Sequence, residues 1–77
     1  MLHIMMRLHG GAMPTSYAYS TFEDVPAALR AARARFDHED RLELIELSKD
    51  GRALCGISRD AATRRCMLNW NGAPPAP

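Results

Sequence analysis

Five side chains in this sequence carry the chemistry of metal ligation: His3, His9, His38, Cys55 and Cys66. The two cysteines stand eleven positions apart, not at the short ligand spacing that anchors a zinc site, so no metal and no other cofactor is expected. His38 lies within Asp37-His38-Glu39-Asp40, a run that could shuttle protons, yet nothing around it supplies a nucleophile or the wall of a pocket. Ser58 and Thr63 have no base at a defined spacing, and Gly10-Gly11 lacks the further residues of a phosphate-binding loop. The residue types predict a protein that is not an enzyme.

Charge offers the other chemistry. Arg59, Arg64 and Arg65 gather around one predicted turn, with Arg41 and Arg52 on the same predicted sheet and Tyr17, Tyr19 and Trp70 available for stacking. A basic hairpin of that kind suits a nucleic-acid backbone or a single strand. Against it stand Asp60 inside the cluster, Glu43 and Glu46 on the sheet, and a near balance of 10 Lys plus Arg with 9 Asp plus Glu. Arg beside Trp and Tyr is also the composition of protein interfaces. Arg59, Arg64 and Arg65 are therefore the candidate protein-contact residues, with Glu39 and Asp40 as a second, acidic patch. Direct nucleic-acid binding is the alternative.

The 77 residues make one domain, expected over 1–72, with Ala73-Pro74-Pro75-Ala76-Pro77 as an extended, disordered tail. A domain this short buries only about 60% of its unfolded surface, so a partner or a second copy would add stability. The 47% hydrophobic content argues against disorder. No apolar run approaches the roughly 18 residues of a membrane span, and the N-terminus lacks a continuous signal-peptide core. A cytoplasmic protein with two free thiols is the expectation. Met1, Met5, Met6 and Met13 all fit as start codons.

The element that must position these groups is an amphipathic helix within Thr21 to Phe36. Phe22, Val25, Leu29, Ala32 and Phe36 recur at spacings of 3, 4, 3 and 4, one apolar stripe at the helical period. Thr21 is the expected N-cap, followed by an irregular first turn that accommodates Pro26, and the regular helix runs from about Val25 to Phe36. The acidic run from Asp37 opposes the helix dipole and is expected to end it.

The remaining elements read as strands. Leu2, Ile4, Met6 and Leu8 alternate with His3, Met5 and Arg7, the pattern of a half-buried strand. Tyr17 and Tyr19 suggest a short second strand, which Pro14 confines to an edge. Arg41 to Ser48 and Ala53 to Arg59 flank Asp50-Gly51, the strongest hairpin signal in the chain. A two-residue turn sets Leu44 opposite Ile57 and Leu47 opposite Leu54, and a bulge would shift that register by one. Arg65 to Trp70 follows, with Cys66, Leu68 and Trp70 expected inward and Cys66 facing Cys55 from the adjacent strand.

The fold class expected is α+β: one amphipathic helix on a small antiparallel sheet of three to five strands, in the order β(β)αβββ. The sheet face away from the helix would keep apolar groups rimmed with charge, which is the character of an interaction surface, or of the closing face in a weak homodimer. The helical segment TFEDVPAALRAARARF, the hairpin LIELSKDGRALCGI and the lack of catalytic motifs together resemble the small phage-encoded inhibitors called anti-CRISPR proteins. That resemblance implies stoichiometric binding to a larger ribonucleoprotein, a CRISPR effector complex, whose access to DNA would be blocked.

Overall fold

The computed structural model describes residues 1–72, for Met13 the backbone only; the Pro-rich tail expected over 73–77 lies outside the described residues. Strand β1 (Leu2–Gly10) turns back into β2 (Met13–Phe22), helix α1 (Val25–His38) follows, and β3 (Leu44–Lys49), β4 (Arg52–Arg59) and β5 (Cys66–Trp70) complete the chain. The five strands form one antiparallel sheet in the order β2-β1-β3-β4-β5. The expected α+β class and the β3-β4-β5 meander are present. Because β2 and β3 both run antiparallel to β1, α1 carries the chain from one side of β1 to the other and lies against β1 and β2.

Alternation decides which side chains build the core. Ile4, Met6 and Leu8 of β1 lie beside Leu47 and Ile45 of β3, and these lie beside Cys55 and Ile57 of β4. All are buried on the face that receives Ala28, Ala32 and Phe36 of α1. The expected stripe is therefore rotated. Val25 and Leu29 lie at its half-buried margin, and small alanines form its centre, so the helix backbone approaches the sheet closely. Phe22 belongs to β2, opposite Leu2, and joins the core from the sheet.

Both ends of the helix differ from the expectation. The N-cap is Asp24, not Thr21: its backbone is extended and its Oδ1 accepts from the Ala27 N–H at 2.8 Å. That start places Pro26 in the first turn, where its missing N–H leaves no intrahelical bond unmade. At the other end the helix continues through Asp37 and His38 to a C-cap at Glu39. The acidic run does not stop it at Phe36, because the Arg59 guanidinium donates to the carbonyls of Phe36 and Asp40 and offsets the negative end.

The Asp50-Gly51 turn has positive φ at both residues, 52° and 78°, the two-residue geometry expected of Asp-Gly. One step further the ladder shifts, so Leu47 faces Cys55 and Leu44 faces Ser58. Tight turn and bulge coexist, which the sequence had offered as alternatives. The register of β5 then separates the cysteines: Cys55 faces Trp70, and Cys66 faces Arg59. Cys55 is buried and Cys66 exposed, both free, so the expected Cys55–Cys66 juxtaposition does not occur and Cys66 is not inward. The cause is position: α1 does not cover the start of the edge strand β5.

Gly10 is fixed by sterics. A Cβ there would come within 2.3 Å of the Arg41 carbonyl oxygen, where the chain entering β3 crosses the end of β1. Gly10→Ala should lower stability by about 1–3 kcal/mol, the usual scale of forced overpacking. Chemical denaturation read by circular dichroism checks this.

Candidate functional site

The five residues singled out by charge form one corner of the domain, around the end of α1 and the β4–β5 turn. Arg59 is held there by the fold. Its Nη1 donates to the Asp40 carbonyl at 3.0 Å, its Nη2 to the Phe36 carbonyl, and its guanidinium stacks 4.9 Å from the Phe36 ring centroid. Glu39 is the helix C-cap, with its N–H donating to Arg35 at 3.0 Å. Arg64 adopts a left-handed conformation at φ 63° and approaches Asp40 at 3.9 Å, an exposed pair of small energetic value. Arg65 is exposed, and its backbone carbonyl accepts from Asp60 at 2.8 Å. The structure thus brings Arg59, Arg64, Glu39 and Asp40 together and engages Arg59 inside the protein. A cleft of about 550 Å³ opens beside them, bordered by Asp40, Arg41, Glu43, Arg59 and Arg64.

Asp60 organises the turn that presents Arg64 and Arg65. Its Oδ1 accepts from the Thr63 N–H at 3.0 Å and the Ala62 N–H at 2.8 Å. These two backbone donors, Thr63 first, hold its carboxyl below the usual carboxylate value. A depressed pKa stabilises the folded turn above the ordinary carboxylate range, and that contribution disappears as the pH falls through the folded-state value.

The second candidate surface is the uncovered face of the sheet. It carries His3, Met5, Arg7 and His9 from β1, Tyr17, Tyr19 and Thr21 from β2, Glu46 and Ser48 from β3, and Met67 and Asn69 from β5. Tyr17, Tyr19 and Met67 are 55%, 77% and 55% exposed. The expected leftover apolar group is present as Leu44 of β3, between His9 and Ser58, but the face as a whole is mixed: Tyr and Met side chains surround a polar centre. Glu46 is that centre, accepting from or pairing with His9 Nε2 at 2.7 Å and lying 3.7 Å from Arg7 Nη1. A cleft of about 410 Å³ at the hairpin end of the face is lined by His3, Met5, Tyr19, Thr21, Ser48 and Asp50.

Thr15 Oγ1 lies 3.2 Å from His9 Nδ1, so Thr15, His9 and Glu46 follow one another in the order nucleophile, base and carboxylate. Sequence spacing could not find this set, because strand pairing assembles it from three elements. The surroundings match a cross-strand hydrogen-bond chain better than a reaction centre. Thr15 is exposed on the edge strand and lines neither cleft, so no substrate atom would be held beside it. His3 and His9 share a face but stand six residues apart along a strand, about 20 Å, too far for one ion. Among the described residues no group of three or more His, Cys, Asp or Glu side chains could hold a metal ion. No helix among them is long and apolar enough to cross a membrane.

No protein-family model matches the chain, and no curated protein and no solved structure is detectably similar to it. The site is therefore defined by its own geometry.

Two outcomes follow. Arg59→Lys keeps the charge but loses the planar fork and the stacking, and should lower stability by about 1–2 kcal/mol, read by denaturation. In thiol titration of the native protein, Cys66 should react promptly. Cys55, buried and with its thiol pKa pushed up by desolvation, should react only on unfolding.

Proposed function

We propose that the protein is a non-enzymatic binding module that occludes a surface of a larger protein or ribonucleoprotein. The observation that carries this reading is the uncovered sheet face, where Tyr17 and Tyr19 of β2 are exposed beside Arg7 of β1, and Met67 of β5 is exposed at the opposite edge. Tyr, Met and Arg are enriched where proteins meet, and a rigid strand presents them without ordering a loop first. The charged corner around Arg64, Arg65, Glu39 and Asp40 would steer the encounter, while the aromatic face would hold the complex. The most concrete form of the proposal is a phage or mobile-element inhibitor that blocks DNA access to a CRISPR effector. It is supported by the small size and the single helix on a sheet with one face to spare.

A second reading has one observation in its favour. Tyr17 and Tyr19 stand two residues apart on one exposed strand face, a spacing on which successive bases of a single strand could stack. Among the described strand residues Arg7 is the only Arg or Lys on that face, and it lies beside Glu46; this favours the protein partner.

The test is affinity capture from host lysate with and without nuclease, repeated with two variants. A nuclease-resistant protein at stoichiometric yield is expected. Arg7→Ala combined with Met67→Ala should accelerate dissociation, and Arg64→Glu with Arg65→Glu should slow association, while both variants remain folded. Capture of nucleic acid alone, lost steeply with salt, would overturn the reading in favour of the second.

A further inference from the structure

We infer that the protein self-associates through the free edge of β2, as a two-fold dimer whose sheets join across a dyad at Ala18. The two edges of the sheet are treated differently. β5 is five residues long and is preceded by Arg64 and Arg65. Shortness and flanking charge are devices that keep an edge from pairing. β2 is ten residues long, and from Thr15 to Phe22 it contains no charged residue and no proline. Its register against β1 is regular from Leu2↔Phe22 to Leu8↔Ser16, so no bulge turns this edge away. The unpaired edge is long, regular and neutral.

Its sequence also says what would pair with it. Thr15-Ser16-Tyr17-Ala18-Tyr19-Ser20-Thr21 reads the same in both directions. When two copies meet antiparallel with Ala18 on the axis, every residue faces its own kind: Tyr17 faces Tyr19 of the other copy, Ser16 faces Ser20, and Thr15 faces Thr21. Aromatic pairs and Thr or Ser pairs are among the favourable cross-strand neighbours, and no like charges meet. The match ends at Pro14, which has no N–H to donate. On the covered face the junction meets only Ser16, Ala18 and Ser20, small enough for the sheets to join without displacing either helix. On the open face four tyrosines would meet at the dyad. Thr15 and Thr21 are already tied to His9 and His3 of β1 at 3.2 and 3.4 Å, which holds both ends of the edge strand. The pairing is isologous and closes on itself, while the protected β5 edge stops further growth.

This inference does not rest on the binding function proposed above. Light scattering across a concentration series up to the solubility limit should show the mass rising from 8.6 kDa to twice that value. Tyr17→Lys with Tyr19→Lys sets like charges against each other across the dyad and should abolish the dimer. Tyr17→Lys with Tyr19→Glu sets opposite charges in the same register and should restore it, with circular dichroism unchanged in both. Ala18→Cys in a Cys66→Ser background should form an interchain disulfide under mild oxidation, since directly opposed antiparallel residues lie within bridging distance. A concentration-independent monomer, or a dimer indifferent to the paired Lys variant, would overturn the proposal.

Discussion

One helix can cover only one face of a five-stranded sheet, and the rest of this structure follows from that limit. Among the described residues there is no second helix with which to close the other side. Most of its aliphatic strand residues are therefore spent on the covered face: Ile4, Met6, Leu8, Ile45, Leu47, Cys55 and Ile57 are all buried there. The alanines of α1 draw the helix axis down onto that layer, and Phe36 closes its end. Burial of this layer is the main source of stability available to so small a domain. The opposite face is left to residues that tolerate water, and the fold places no demand on what they recognise.

The same limit explains the charged corner. A short helix that ends over a sheet leaves carbonyl oxygens without partners. Arg59 reaches them from the last residue of β4 and stacks on Phe36 as it does so. A residue that looked from its neighbours like part of a recognition cluster is thus a clamp between helix and sheet. Arg64 and Arg65 remain outward, on a turn whose shape comes from the Asp60 side chain.

Much of the fold was legible because alternation and turn chemistry are local signals. β1 reads as a half-buried strand from seven residues, and Asp50-Gly51 fixes its hairpin by backbone preference alone. The misreadings arose where two local rules competed or where a long-range partner decided. Thr21 and Asp24 are both cap residues, and the choice between them depends on β2 running on to Phe22. The end of α1 is set by Arg59, more than twenty residues further along the chain. The contact surface was legible as a spare sheet face, but its composition was not, because β3 is apolar at both Leu44 and Ile45 and only the register says which turns inward. The Thr15–His9–Glu46 chain spans three strands and leaves no trace in sequence spacing.

A single strand divides its labour, one set of alternate residues holding the fold and the other set left free for contact. Met5 and Met6 test it most directly, since they are neighbours of identical chemistry on opposite faces of β1. Equilibrium denaturation of Met5→Ala and Met6→Ala, measured side by side, is the decisive experiment. Met6 is only 2% exposed, so its truncation should lower stability by about 2–5 kcal/mol. Met5→Ala should lower it by less than about 1 kcal/mol, in the range of positions outside the core. Equal losses, or a larger loss at Met5, would mean that the open face is also packed, and would contradict the account.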